Sequence, residues 1–171
     1  LCEPLQGESG VRPLTNDYLQ QIRTLCDQHK LLLIFDEVQT GLGRTGSLFA
    51  HEQLGVTPDI MTLAKALGNG LPLGAMLAKE EIAVSLVPGT HASTFGGNPV
   101  ATAAAVEVLE TILEPGFLQT VQENGTYFAN QLTELCRQFP RWATGVRGRG
   151  LLLGLLLSEE GISLGGEIVQ R

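Results

Sequence analysis

Basic residues are scarce in this chain, and cysteines scarcer. Eleven Lys and Arg against eighteen Asp and Glu leave a formal net charge of −7, and the positive residues are scattered. Such a surface has no stripe that could neutralise successive phosphates, so nucleic acid is not an expected partner. Cys2, Cys26 and Cys136 are odd in number, far apart and without a CxxC. That pattern fits reduced core thiols rather than a disulfide framework or a zinc site. His29, His51 and His91 are equally dispersed, and no metal site is expected. No apolar run approaches the roughly 18 residues that span a bilayer, and no basic stretch leads into an apolar one at the start. The expectation is a cytoplasmic protein without a membrane segment.

What is present is ordinary globular material. The chain has 171 residues, 43% of them apolar and 17% charged, about the length of one domain and enough to bury a core. It opens at Leu1 without a methionine, and residues 167–171 read like the opening of a helix. An excerpt from a longer protein is therefore expected.

From Asp17 the apolar residues Leu19, Ile22, Leu25 and Cys26 recur at helical spacing. The all-apolar run 31–35 predicts a strand covered on both faces, as in a parallel sheet. A short helix is predicted over 48–54, a second strand over 60–64 ending at Lys65, a third over 71–78, and a helix over 79–86. This alternation argues for an α/β chain with parallel strands. Asn98-Pro99 opens an alanine-rich helix running to about Leu113, Glu114-Pro115-Gly116 breaks it, and 117–139 is a second amphipathic helix. The stretch 145–157 reads as a strand after a turn. The change of texture near Pro115 divides the chain into 1–114 and 115–171.

The stretch LLLIFDEVQTGLGRTG, 31–46, carries the chemistry. Gly41, Gly43 and Gly46 match GxGxxG, but in a dinucleotide fold the first glycine turns directly off the strand. Here Asp36 and Glu37 stand where a phosphate would approach. A Walker B strand is the second reading, because apolar residues followed by Asp-Glu can present a magnesium ligand and a water-activating acid. No GxxxxGK[ST] loop accompanies it. The third reading uses more of the chain. Asp36 and Lys65 each end an apolar strand, 29 residues apart, and a right-handed crossover would bring both to the ligand-binding edge of one sheet. A carboxylate facing a lysine across a ligand-sized gap suits pyridoxal phosphate. The lysine condenses with its aldehyde, and the carboxylate keeps the ring nitrogen protonated so that the ring withdraws electrons.

The words around these residues narrow the choice. DEVQTGLGRTG, then PDIMTLAKALGNGLPLGA, then HASTFGGNP, with EPLQGESG ahead of them, resemble the class III pyridoxal-phosphate aminotransferases in order and spacing. The resemblance implies a fold type I, aspartate-aminotransferase-like architecture: three layers, α/β/α, on a mostly parallel sheet. Residues 1–114 would be the C-terminal part of a large cofactor-binding domain, and 115–171 the start of a smaller α+β domain.

The resemblance also implies roles. Asp36 matches the partner of the ring nitrogen, Val38 the residue packed on the ring, Gln39 the hydrogen-bond partner of the ring hydroxyl, and Lys65 the lysine that holds the cofactor and carries the proton. Thr94 matches the threonine that binds the cofactor phosphate of a neighbouring subunit, which implies a homodimer with a shared site. Glu8 matches the glutamate near the substrate in ornithine-type members. Glu3 is read as satisfying backbone, Arg44 as ordering the glycine loop through carbonyls, and Arg147 and Arg149 as structural.

Within the class, VPGTHASTFGGNPVATAAAVEVLE and Phe95 lean toward acetylornithine aminotransferases, which implies 2-oxoglutarate as acceptor and arginine biosynthesis as the setting. Ornithine, 4-aminobutyrate and succinylornithine are the alternative donors, and glutamate-1-semialdehyde mutase is a more distant relative. The family's phosphate loop, ring-stacking aromatic and substrate arginines have no counterpart within these 171 residues. A chain of this length could therefore be an inactive fragment.

Overall fold

The computed structural model describes residues 1–169. Strand β1 (Leu5–Gln6) pairs antiparallel with β2 (Arg12–Pro13). Thr15 then caps α1 (Asn16–Gln28), its hydroxyl accepting the Tyr18 N–H at 3.3 Å, one of the donors a first turn leaves open. The helix buries Leu19 and Cys26 and ends through Lys30, whose φ of 54° lets Leu31 N–H reach back to the Cys26 carbonyl at 2.8 Å.

That ending shortens the next strand. β3 spans only Ile34–Asp36, because the Leu31 amide is already committed to α1, and Leu31 and Leu32 are 54% and 52% exposed. The expectation of a strand covered on both faces from residue 31 is therefore corrected. β4 (Ile60–Leu63) runs parallel to β3 with Asp36 opposite Thr62, and Cys2 makes a further parallel bridge to Phe35. β5 is confined to Ala75–Ala78 and pairs antiparallel with β4, against the expectation of a third parallel strand over 71–78. A parallel return needs a crossover of a dozen or more residues, and 64–74 is too short to supply one. β3 still makes both of its contacts in parallel, within a sheet of order β3-β4-β5.

The helices α2 (Ala50–Leu54) and α3 (Glu80–Ala83) are short, the latter half of what the sequence predicts. In α4 (Pro99–Leu113), Pro99 takes the first position and the Asn98 side chain accepts the Ala101 N–H at 2.9 Å. α5 (Phe117–Gln138) follows the turn at Glu114–Gly116 and packs on a hairpin of β6 (Ala143–Arg149) and β7 (Leu152–Leu157). Two strands thus stand where one was expected over 145–157. The chain closes with α6 (Glu159–Ile162) and α7 (Gly165–Val169). The helix expected over 167–171 is met as far as Val169, and Gln170 and Arg171 lie outside the described residues.

Two apolar clusters hold these elements. One joins Leu19 and Cys26 of α1 to Leu33, Phe35, Leu54 and Val56. The other joins Met61 and Leu63 of β4 to Ala105 and Ile112 of α4, with Leu42 and Leu67. Asp59 pins the sheet from the side. Its carboxylate accepts the Leu33 N–H and Arg23 Nη1, both at 2.8 Å, and Lys79 Nζ at 2.7 Å. Burial alone would raise its pKa, but Lys79, the Leu33 amide and Arg23 together hold it at about 2.

Candidate active site

The parallel pairing of β3 and β4 sets the geometry. Both strands end at the same edge, where Asp36 closes β3 and Lys65 follows β4 after Ala64. Lys65 begins a 3-10 turn, Lys65–Leu67, with its backbone in the left-handed region at φ 43°. A side chain in that region costs on the order of 1–3 kcal/mol and persists only where its surroundings enforce it. Asn69, on the same connection, is also left-handed at φ 43°.

Lys65 lines a cavity of about 380 Å3 together with Val38, Gln39, Gly41, Arg44, Asn69 and, from the β6–β7 hairpin, Leu152. Three of the expected site residues, Val38, Gln39 and Lys65, thus converge on one cavity of cofactor size. Lys65 is exposed in this chain.

Asp36, Glu8 and Thr94 are not among the residues lining that cavity. Asp36 is half-buried and lines a cleft with Glu3, Gln6 and Tyr18. Asp36 Oδ1 accepts the Val38 N–H at 3.0 Å, an Asx turn at the strand exit. Its other oxygen has no hydrogen bond among the described residues. Glu8 is exposed on the tight turn between β1 and β2, and Thr94 is exposed between α3 and α4, beside Phe95 at 81% exposure.

Of the residues read as structural, Glu3 accepts the Gly7 N–H at 3.0 Å, and Arg147 Nε donates to the Gly10 carbonyl at 2.7 Å. Arg44 departs from expectation. Among the described residues its guanidinium bonds to no carbonyl; its own backbone carbonyl accepts the Leu151 N–H at 3.0 Å, and the residue lines the Lys65 cavity.

Glu37 decides the question that the Asp-Glu pair raised. It is 1% exposed, and its carboxylate accepts Thr40 Oγ1 at 2.5 Å, Ala50 N–H and His51 N–H at 2.9 Å each, and approaches His51 Nδ1 at 3.1 Å. Burial would raise its pKa, but the His51 ring, Thr40 and the two amides outweigh burial and lower it. A carboxylate so enclosed cannot activate water, which removes the Walker B reading. Sequence reasoning missed this role, although a clue was present: Phe49 stands at the N-cap of α2 and has no acceptor to offer, so the cap must come from elsewhere. It also took Asn69-Gly70 only as a turn, yet both line the Lys65 cavity.

Residues 1–169 match the profile of the family described as Aminotransferase class-III. The chain belongs to the class III aminotransferases. As a member of that family it is 54% identical over 161 residues to an acetylornithine aminotransferase of Myxococcus xanthus, covering 94% of this chain and 40% of that relative. It is 51% identical over 160 residues to a succinylornithine transaminase of Salmonella typhi, covering 94% of this chain and 39% of the relative. Among solved structures, the N-acetylornithine aminotransferase of Stenotrophomonas maltophilia superposes with a TM-score of 0.86 at 42% identity, over 98% of this chain and 43% of that one. An ornithine aminotransferase of Toxoplasma gondii gives 0.90 at 38% identity, over 98% and 40%. The α/β layout is thus a partial fold type I aminotransferase, and the chain spans about 40% of the length of the curated relatives it matches.

Proposed function

We propose that the protein carrying this chain is a pyridoxal-phosphate-dependent aminotransferase. It moves an amino group from acetylornithine, or a related ω-amine such as succinylornithine, ornithine or 4-aminobutyrate, to 2-oxoglutarate. Arginine biosynthesis in the cytoplasm is the proposed setting. The observation that carries the reading is the strained, left-handed Lys65 opening onto a cavity shared with Val38 and Gln39. Identity above 50% to acetylornithine and succinylornithine enzymes supports the donor class.

The residues present fit the cofactor. Gly7 lies against the Gln39 amide, where any Cβ would collide with it, so the glycine keeps that amide in place beside the cavity. Asp36 keeps one carboxylate oxygen without a partner among the described residues, as a residue must that is to bind a protonated ring nitrogen. When bound, pyridoxal phosphate supplies an aldehyde for covalent attachment and a ring that draws electrons from the substrate carbon. Lys65 Nζ would hold it and would carry a proton to and from the reacting carbon of the substrate. Gln39 would orient the ring through its hydroxyl, Val38 would pack against it, and Asp36 would keep the ring nitrogen protonated. Glu8 contacts the substrate. Thr94, on an exposed segment, reaches the cofactor phosphate of a second copy in a homodimer. Residues 1–114 form the cofactor-binding part and 115–171 the start of the smaller domain.

The test is to add pyridoxal phosphate to the protein at the full length of its relatives, record the visible spectrum, reduce with borohydride and map the label. A visible band with the label on Lys65, lost in Lys65→Ala, is expected. Absence of any reducible adduct at full length would overturn the reading; an adduct at full length but not in the 171-residue chain would mark this chain as an inactive fragment of such an enzyme.

A further inference from the structure

We infer that Arg147 is a positioning residue for Glu8, latching the substrate-facing turn to the C-terminal hairpin. The inference rests on the aminotransferase reading and deepens it. The turn that carries Glu8 is closed by the amides of Gly10 and Val11, which both bond to the Gly7 carbonyl, at 3.1 and 3.0 Å. To make it, two consecutive residues adopt the left-handed region: Gly10 at φ 97° and Val11 at φ 55°. For a β-branched valine this is a true outlier, so something outside the turn must enforce it.

The β6–β7 hairpin supplies the restraint. Arg147 of β6 donates its Nε proton to the Gly10 carbonyl at 2.7 Å, across 137 residues of sequence. Among the described residues Arg147 forms no ion pair, so this carbonyl is its bonding partner. Gly154 of β7 lies so close that a Cβ there would sit 3.1 Å from the Val11 Cβ. At its other end the turn is anchored by Glu3 and rests on Gln39. Glu8 is therefore held between the Gln39 side of the cavity and a hairpin whose Leu152 lines the same cavity. A hairpin that moved would move Glu8 with it.

The test uses the pyridoxal-phosphate-loaded holoenzyme at full family length, with Arg147→Gln, Arg147→Lys and Gly10→Ala, and the double variant of Arg147→Gln with Gly10→Ala. A Cβ on Gly10 would lie 2.8 Å from Arg147 Nη2 as well as straining the backbone, so Gly10→Ala breaks the latch from the other side. Arg147→Gln is expected to raise the KM for the ω-amine donor by up to about tenfold, the worth of one hydrogen bond. The 2-oxoglutarate half-reaction and the cofactor spectrum should stay unchanged. Arg147→Lys, which can still donate to the carbonyl, should recover most of the loss, and the double variant should be no worse than Gly10→Ala alone. Amide exchange at Gly10 and Val11 should quicken by a similar factor in Arg147→Gln.

An unchanged donor KM, or an equal loss for donor, acceptor and cofactor, would overturn the inference. If the unsubstituted protein transfers no amino group, the aminotransferase reading fails and Glu8 loses its assigned role with it; unchanged amide exchange in Arg147→Gln overturns the latch itself in either case.

Discussion

His51 and Glu37 meet through Nδ1 and Oε1 at 3.1 Å, beneath a helix whose first two amides are bound to the same carboxylate. This contact fixes α2 against the strand exit that bears Asp36, Val38 and Gln39. Replacing Glu37 by Ala strands two backbone amides and a hydroxyl with no acceptor. We expect a loss of about 3 kcal/mol or more, read from urea midpoints. Glu37→Gln keeps one acceptor oxygen and should lose less. Because the folded-state pKa of Glu37 is lowered, its contribution is complete at neutral pH and fades as pH falls through that lowered value. A Glu37→Ala variant as stable as the parent would remove the cap from this account.

Asp59 predicts a second acid response. Its pKa falls from 3.8 to about 2 on folding, which corresponds to about 2 kcal/mol of stability. A depressed carboxylate stabilises the fold above its unfolded value and ceases to do so as pH falls through the folded one. Stability should therefore decline between about pH 4 and pH 2, and Asp59→Asn should flatten that part of the profile. Identical slopes in the two proteins would place the acid response elsewhere.

Lys65 offers a separation of fold from chemistry. Glycine tolerates φ 43°, whereas lysine is strained there. Lys65→Gly should leave stability unchanged or raise it by up to about 1 kcal/mol, while losing all borohydride-trapped cofactor. Lys65→Ala should lose the adduct as well, without the gain in stability. A large fall in melting temperature for Lys65→Gly would mean that the lysine side chain supports the fold.

Local chemistry explains which features could be read ahead of the structure. Asn98 announces α4, because a capping side chain acts on amides two or three residues away. The convergence of Val38 and Gln39 with Lys65 was legible because each follows the end of one of two strands that pair in parallel. The direction of β5 was not, since Ala75–Ala78 reads alike in either sense and only the short 64–74 connection decides it. The late start of β3 follows from two amides being taken first, Leu31 by the helix before it and Leu33 by the Asp59 carboxylate. That Asp36 commits one oxygen to its own turn was not legible either, since residue type does not specify a rotamer. Glu37 with α2 and Arg147 with Gly10 join residues 13 and 137 apart, and no local pattern reports such a pairing.

The last of these has a temporal side. At 5–20 residues per second, a ribosome needs on the order of 10 s to travel from Gly10 to Arg147. Throughout that interval the nascent Glu8 turn has no hairpin to grip it, and Val11 is free to relax into an ordinary extended backbone. The turn is made long before β6, and it takes its final shape only once that strand arrives to hold it.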